Sequence, residues 1–166
     1  MDMDLDSERE RKPILQGEYK LVKLLECYDY SNLYLAVSLH SLDRKFAIKE
    51  VRIDDGQGSE THRQVMDYFR QVAAPYVEVQ HPGLTTLRDY FYENGSEYVV
   101  FDFIQGYRLG EVMALRRRPF LEGQAVDVAV KIGVILDWMH NRRPPLYFAD
   151  LNPANVLLTA RGDVVL

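Results

Sequence analysis

Between residues 19 and 103 the apolar residues fall into short runs separated by turn-forming clusters, and this constrains the fold more than any other feature. Tyr19, Leu21 and the Leu24-Leu25 pair form one run, Leu33 to Val37 a second, and Phe46 to Ile53 a third. Asp29-Tyr30-Ser31-Asn32 and His40 to Asp43 break them with residues that favour turns. The pattern reads as a three-strand antiparallel meander. Asp54 to Gly58 is a loop, and Ser59 is a helix N-cap. The helix places Val65, Phe69, Val72 and Ala73 on one face, and Pro75 is expected to end it. Two more strands are expected over Leu84 to Tyr92 and Glu97 to Phe103, joined by a turn at Asn94-Gly95.

From Gly110 onward the signal is mostly helical. Glu122 to His140 is apolar around most of its circumference, with a polar stripe at Gln124, Asp127 and Lys131. Such a helix normally lies inside a larger body. A broad apolar face left uncovered would invite self-association or a protein partner. Residues 1–16 read as a flexible charged leader, with order beginning at Gly17.

Composition narrows the function classes. At 166 residues, 47% hydrophobic and 27% charged, the chain has the make-up of a soluble globular protein. Its net charge of -5, from 25 acids against 20 bases, argues against a nucleic-acid partner. The Arg116-Arg117-Arg118 run and the Arg142-Arg143 pair read as solvated surface. Cys27 is the one cysteine, so neither an internal disulfide nor a cysteine-rich zinc site can form. The acidic start is not that of a signal peptide. The most apolar stretch, Val126 to Met139, is interrupted by Asp127, Lys131 and Asp137 and is too short for a membrane segment. A reducing cytoplasm is the expected location.

Three stretches stand out at increasing specificity. Phe46-Ala47-Ile48-Lys49 ends a strand on a lysine. His81-Pro82-Gly83-Leu84 leads into Asp89-Tyr90-Phe91, Tyr98 to Phe103 and Gly106-Tyr107-Arg108-Leu109. Tyr147-Phe148-Ala149-Asp150-Leu151-Asn152-Pro153-Ala154-Asn155 then runs into Val156-Leu157-Leu158, with Trp138-Met139-His140 upstream. Taken singly, each has a bland reading as strand or loop. In this order they resemble a protein kinase of the serine/threonine type, from its third strand through the catalytic loop.

The resemblance implies an α+β fold: a five-stranded antiparallel sheet with one helix over residues 17–104, then a partial helical lobe over 105–166. It implies ATP and magnesium as ligands and a protein as substrate or partner. Lys49 would face the nucleotide phosphates. Phe101 would be the gatekeeper, and the backbones of Asp102 and Ile104 would meet the adenine edge. Asp150 would be the base for the substrate hydroxyl, and Asn155, five residues later, would help hold magnesium. Asn152 stands where the family's catalytic-loop lysine is usual.

Other positions depart from the pattern. Glu26, Tyr28 and Ser31 occupy the places of the three loop glycines, adding bulk and negative charge where backbone must approach phosphate. Counting back from His81 places Gln71 or Val72 where the helix glutamate partner of Lys49 belongs, with Glu60 and Glu78 as substitutes. Phe148 and Ala149 replace the His-Arg of the catalytic loop. Gly162 to Leu166 is similar to the strand before the Asp-Phe-Gly motif, which leaves weak or no catalysis as the expectation for these residues. Two other readings remain: a pseudokinase serving protein contacts, and a relative of the aminoglycoside and choline phosphotransferases, suggested by the wording Asp-Leu-Asn-Pro-Ala-Asn.

Overall fold

The computed structural model describes residues 13–41, 43–52, 67, 71, 73–77, 79–116 and 118–166. They divide into two compact units, one within Met1–Phe69 and Arg88–Phe103, the other within Arg70–Leu87 and Ile104–Leu166.

The first unit is built on a six-stranded sheet: β1 (Ile14–Leu15), β2 (Tyr19–Cys27), β3 (Ser31–Ser38), β4 (Lys45–Arg52), β5 (Leu87–Glu93) and β6 (Ser96–Asp102). The spatial order is β1-β2-β3-β4-β6-β5. β2, β3 and β4 form the expected meander. The β5–β6 hairpin closes through Asn94 and Gly95, whose φ values of 50° and 82° are the left-handed pair that a two-residue turn of this kind requires.

The sixth strand corrects the expected count of five. It also moves the start of order from Gly17 to earlier in the chain. Ile14 and Leu15 pair with Lys20 and Tyr19, and Leu15 is 2% exposed. Two residues carry no readable period, so only the packing reveals this strand. Its core holds Leu15, Tyr19, Leu21, Ala36, Phe46, Ile48, Tyr98 and Val100. Within it Tyr19 meets Phe46 edge-on at 5.2 Å and stacks on Phe91 at 6.0 Å.

The expected helix face of Val65, Phe69 and Val72, the N-cap Ser59, and the candidate acids Glu60 and Glu78 lie outside the described residues. Asp67, Gln71 and residues 73–77 are helical, so Pro75 does not end the helix. Packing overrides the local signal there, because Ala73 is buried and Tyr76 packs against the second unit's core.

Residues 70–87 were expected with the sheet but belong to the second unit. Thr85 N–H donates to the Leu166 carbonyl at 2.8 Å, and Leu166 N–H to the Gly83 carbonyl at 2.9 Å. Val79 is buried with Ile135, Met139, Leu146, Val156, Val164 and Leu166, and Leu84 packs against them. His81 Nδ1 accepts from Gly83 N–H at 3.0 Å while its ring meets Trp138 at 4.4 Å.

The second unit also contains α1 (Leu109–Leu115), α2 (Glu122–His140) and a three-stranded sheet of β7 (Gly106–Arg108), β8 (Leu157–Thr159) and β9 (Val164–Val165). Gly106 is required by close approach: a Cβ there would sit 2.6 Å from the Leu158 carbonyl oxygen across the β7–β8 ladder. Helix α2 buries Ile135 and Met139, but Val126, Val130 and Val134 are 54%, 57% and 60% exposed. Spaced four apart, they form an apolar stripe. Among the described residues no helix is long and apolar enough to cross a membrane.

Candidate functional site

β4 alternates its side chains between the two faces of the sheet. Phe46 and Ile48 enter the core, while Ala47 and Lys49 take the other face, where they stand opposite Phe101 and Val99 of β6. The structure thus brings Lys49 and Phe101 to one sheet face, with Lys49 exposed and Phe101 half-buried. The neighbouring acid, Glu50, points to the core side and is saturated. It accepts from Asn32 Nδ2, the Tyr34 hydroxyl and Ser96 Oγ, each at 3.0 Å, and from the Tyr98 hydroxyl at 3.1 Å. Burial raises its pKa, but these four donors outweigh that and hold the carboxyl below its usual value. Burial first, and then the charge of Glu50, push the Tyr98 phenol up to about 12.

The hairpin joining β2 to β3 replaces the expected glycine loop. Tyr28 N–H donates to the Ser31 carbonyl at 2.8 Å, and the Tyr28 hydroxyl donates to the Glu26 carboxylate. Neither Glu26, Tyr28 nor Ser31 has a positive φ. The turn closes on its own side chains, with Tyr28 and Tyr30 at 51% and 76% exposure.

At the end of β6, Phe103 N–H donates to the Lys45 carbonyl at 3.2 Å. Among the described residues, the Ile104 N–H and carbonyl have no backbone partner. The Asp102 carboxylate is gripped by Arg88 through Nε at 2.8 Å and a second guanidinium nitrogen at 2.5 Å. Sequence reasoning missed this Arg88 clamp. It joins two strands across 14 positions, with no local signal at either end.

The catalytic-loop candidates converge. Asn152 Nδ2 donates to Asp150 Oδ1 at 2.8 Å, and Asn155 Nδ2 donates to Asp150 Oδ2 and to the Asp150 carbonyl, both at 3.0 Å. Asn152 Oδ1 in turn accepts from Ala154 N–H at 2.8 Å, capping the 3-10 turn Pro153–Asn155. Asparagine favours such a cap, and proline suits the first position of the turn. The loop is anchored on both sides. Upstream, Leu146 N–H donates to the Met139 carbonyl at 3.0 Å, and the Tyr76 hydroxyl to the Tyr147 carbonyl at 3.0 Å. Downstream, Leu109 N–H donates to the carbonyl of Val156, a residue 2% exposed. Asp150 itself is exposed, so its remaining lone pairs are open to a ligand. Asn152 acts here on Asp150, a role the sequence did not suggest.

For magnesium the donor set is thin. The Asn155 amide nitrogen is committed to Asp150, which leaves its Oδ1 as the acceptor. No group of three or more His, Cys, Asp or Glu able to hold a metal occurs among the described residues. A hard cation that prefers six oxygens does not fit this set alone, and its ligands would have to come largely from nucleotide phosphates. Within the first unit the exposed Lys49 offers a cation on the same sheet face as Phe101.

Comparison with known proteins points the same way. The family model described as protein kinase domain matches residues 29–166. The chain is 25% identical over 150 residues to serine/threonine-protein kinase PrkC of Bacillus subtilis (strain 168), covering 90% of this chain and 22% of that protein. It is 31% identical over 127 residues to serine/threonine-protein kinase Nek1 of Mus musculus, covering 74% of this chain and 10% of that one. It therefore spans less than a quarter of either relative. The solved structure "PpkA-294 apo form" matches with a TM-score of 0.72 at 21% identity, over 93% of this chain and 60% of its own, which shows the same fold. Since the family match covers residues 29–166, well over half of the chain, the chain belongs to the protein kinase domain family.

Proposed function

We propose that this chain carries the nucleotide-binding and proton-accepting part of a serine/threonine protein kinase domain. In this reading Lys49 holds ATP phosphates. Phe101 lies beside the adenine, whose edge meets the backbones of Asp102 and Ile104. Asp150 accepts or orients the proton of a protein hydroxyl, and Asn155 meets magnesium arriving with the nucleotide. One observation carries the reading: both Asp150 carboxylate oxygens are held by side-chain amides of the same loop. A base fixed in advance contributes to rate because orientation need not be gained during reaction.

The same geometry argues for low activity. Glu26 adds negative charge and Tyr28 bulk at the hairpin, and Asn152 brings no cation to the transferring phosphoryl group. We expect ATP to bind no tighter than high micromolar, about 5–6 kcal/mol, and Lys49→Ala to weaken it further. Isothermal calorimetry with and without magnesium tests this. Submicromolar affinity would remove the argument from Glu26 and Tyr28, and an unchanged affinity in Lys49→Ala would remove Lys49 from the site. We expect no turnover on generic protein substrates from these 166 residues; robust phosphorylation that Asp150→Asn abolishes would overturn that.

A second reading is a protein-interaction module in the cytoplasm. It is favoured by the exposed Val126, Val130 and Val134 stripe on α2, which suits self-association or a protein partner. Sedimentation giving a clean monomer at high concentration would count against the self-associating form.

A further inference from the structure

We propose that Glu97 of β6 is the carboxylate that positions Lys49, supplied by the sheet itself; this rests on the reading of Lys49 as the phosphate-holding cation. β4 and β6 run side by side without a register break from Phe46 opposite Asp102 to Arg52 opposite Ser96. Alternation therefore puts Lys49, Val51, Glu97 and Val99 on one face. Lys49 stands opposite Val99 and Val51 opposite Glu97, which makes Lys49 and Glu97 diagonal neighbours. Diagonal positions are about 7–8 Å apart, a span that long side chains bridge.

Glu97 is 6% exposed, and its Oε1 is buried without a hydrogen-bond partner. A buried carboxylate left in that state is strongly unfavourable unless a cation meets it. Neither Glu97 nor Lys49 has an ion-pair partner among the described residues.

Among the described residues the alternatives are poor. Glu50, next to Lys49 in sequence, faces the other way and already has four donors. Lys45, the other lysine on this face of β4, is six residues from the position opposite Glu97, about 20 Å along a strand. Gln71, the described residue where a helix glutamate would be expected, is neutral. Turning the Lys49 side-chain torsions toward Glu97 forms the pair without moving a strand. Glu97 touches no substrate in this arrangement. It fixes the ammonium group that does.

The test has two arms. In the unaltered chain, NMR should show a nuclear Overhauser contact between the Lys49 ε-methylene and the Glu97 γ-methylene; its absence overturns the pair. In the second arm, ATP affinity is measured for wild type, Glu97→Gln, Glu97→Asp, Lys49→Met and Glu97→Gln/Lys49→Met. Glu97→Gln should weaken binding about tenfold, the scale of one lost charge-assisted contact. Glu97→Asp should restore part of it, and Glu97→Gln should have no effect once Lys49 is methionine. Equal losses in both backgrounds would mean a packing effect and overturn the positioning role. A contact seen by NMR in a chain that binds no ATP at millimolar concentration would uphold the pair and defeat the nucleotide reading instead.

Discussion

Glu50 on β4 and Asp150 in the catalytic loop are both carboxylates held by side-chain donors, but the donors come from very different distances along the chain. Those of Glu50 lie 16, 18, 46 and 48 residues away, on β3 and β6. Those of Asp150 lie 2 and 5 residues away in the same loop. The Glu50 knot ties three strands together next to the core, and Ser96 and Tyr98 within it are 5% and 6% exposed. The Asp150 network is exposed and closes on itself. The first arrangement contributes to stability, while the second contributes orientation at little energetic cost or gain.

The largest expected effect breaks the knot. Glu50→Ala orphans the buried hydroxyls of Ser96 and Tyr98 and the half-buried hydroxyl of Tyr34, which water can partly serve, while the Asn32 amide keeps its bond to Tyr34. Urea denaturation should show a loss of about 2–4 kcal/mol. A loss below about 1 kcal/mol would mean that the four hydrogen bonds do not bind the strands together.

A smaller effect sharpens the comparison through pH. The folded-state pKa of Glu50 is lowered, so its contribution is complete above the unfolded carboxyl value of about 4.3 and is lost as pH falls through the folded value. Tyr98 behaves in the opposite sense. Its folded pKa is raised to about 12, so its contribution is complete below the unfolded value of about 10 and is lost as pH rises toward 12. Glu50→Gln should therefore flatten the loss of stability between roughly pH 5 and 3. An unchanged acid slope would assign that loss to other carboxylates.

The smallest effect on stability belongs to the loop. Asn152→Ala removes one contact to Asp150 and the cap on Ala154, so we expect a cost of about 0.5–1 kcal/mol with faster amide exchange at Ala154. A cost equal to that of Glu50→Ala would erase the distinction between the two regions.

The same distinction in sequence distance explains what could be read in advance. The strand runs from Tyr19 to Phe103, the Asn94-Gly95 turn and the α2 helix follow from periodicity and turn chemistry, and each appears in the structure within a few residues. The sequence singled out Asp150, Asn152 and Asn155 by the family pattern, but that their side chains meet over the capped 3-10 turn Pro153–Asn155 is visible only in the structure. The β1 strand was not legible, since two residues have no period. The Arg88 clamp on Asp102 and the contacts of Val79, Gly83 and Thr85 with Leu166 were equally hidden, since each joins distant segments.

The sequence by itself determined the order of elements and the family pattern from Lys49 to Asn155. Tertiary structure alone decided that Glu50 is saturated while Glu97 is buried with its Oε1 unpartnered among the described residues, although both are glutamates in strands. Their separate environments come from strand register, which sends adjacent side chains to opposite faces and brings Tyr34, Ser96 and Tyr98 to one of those faces.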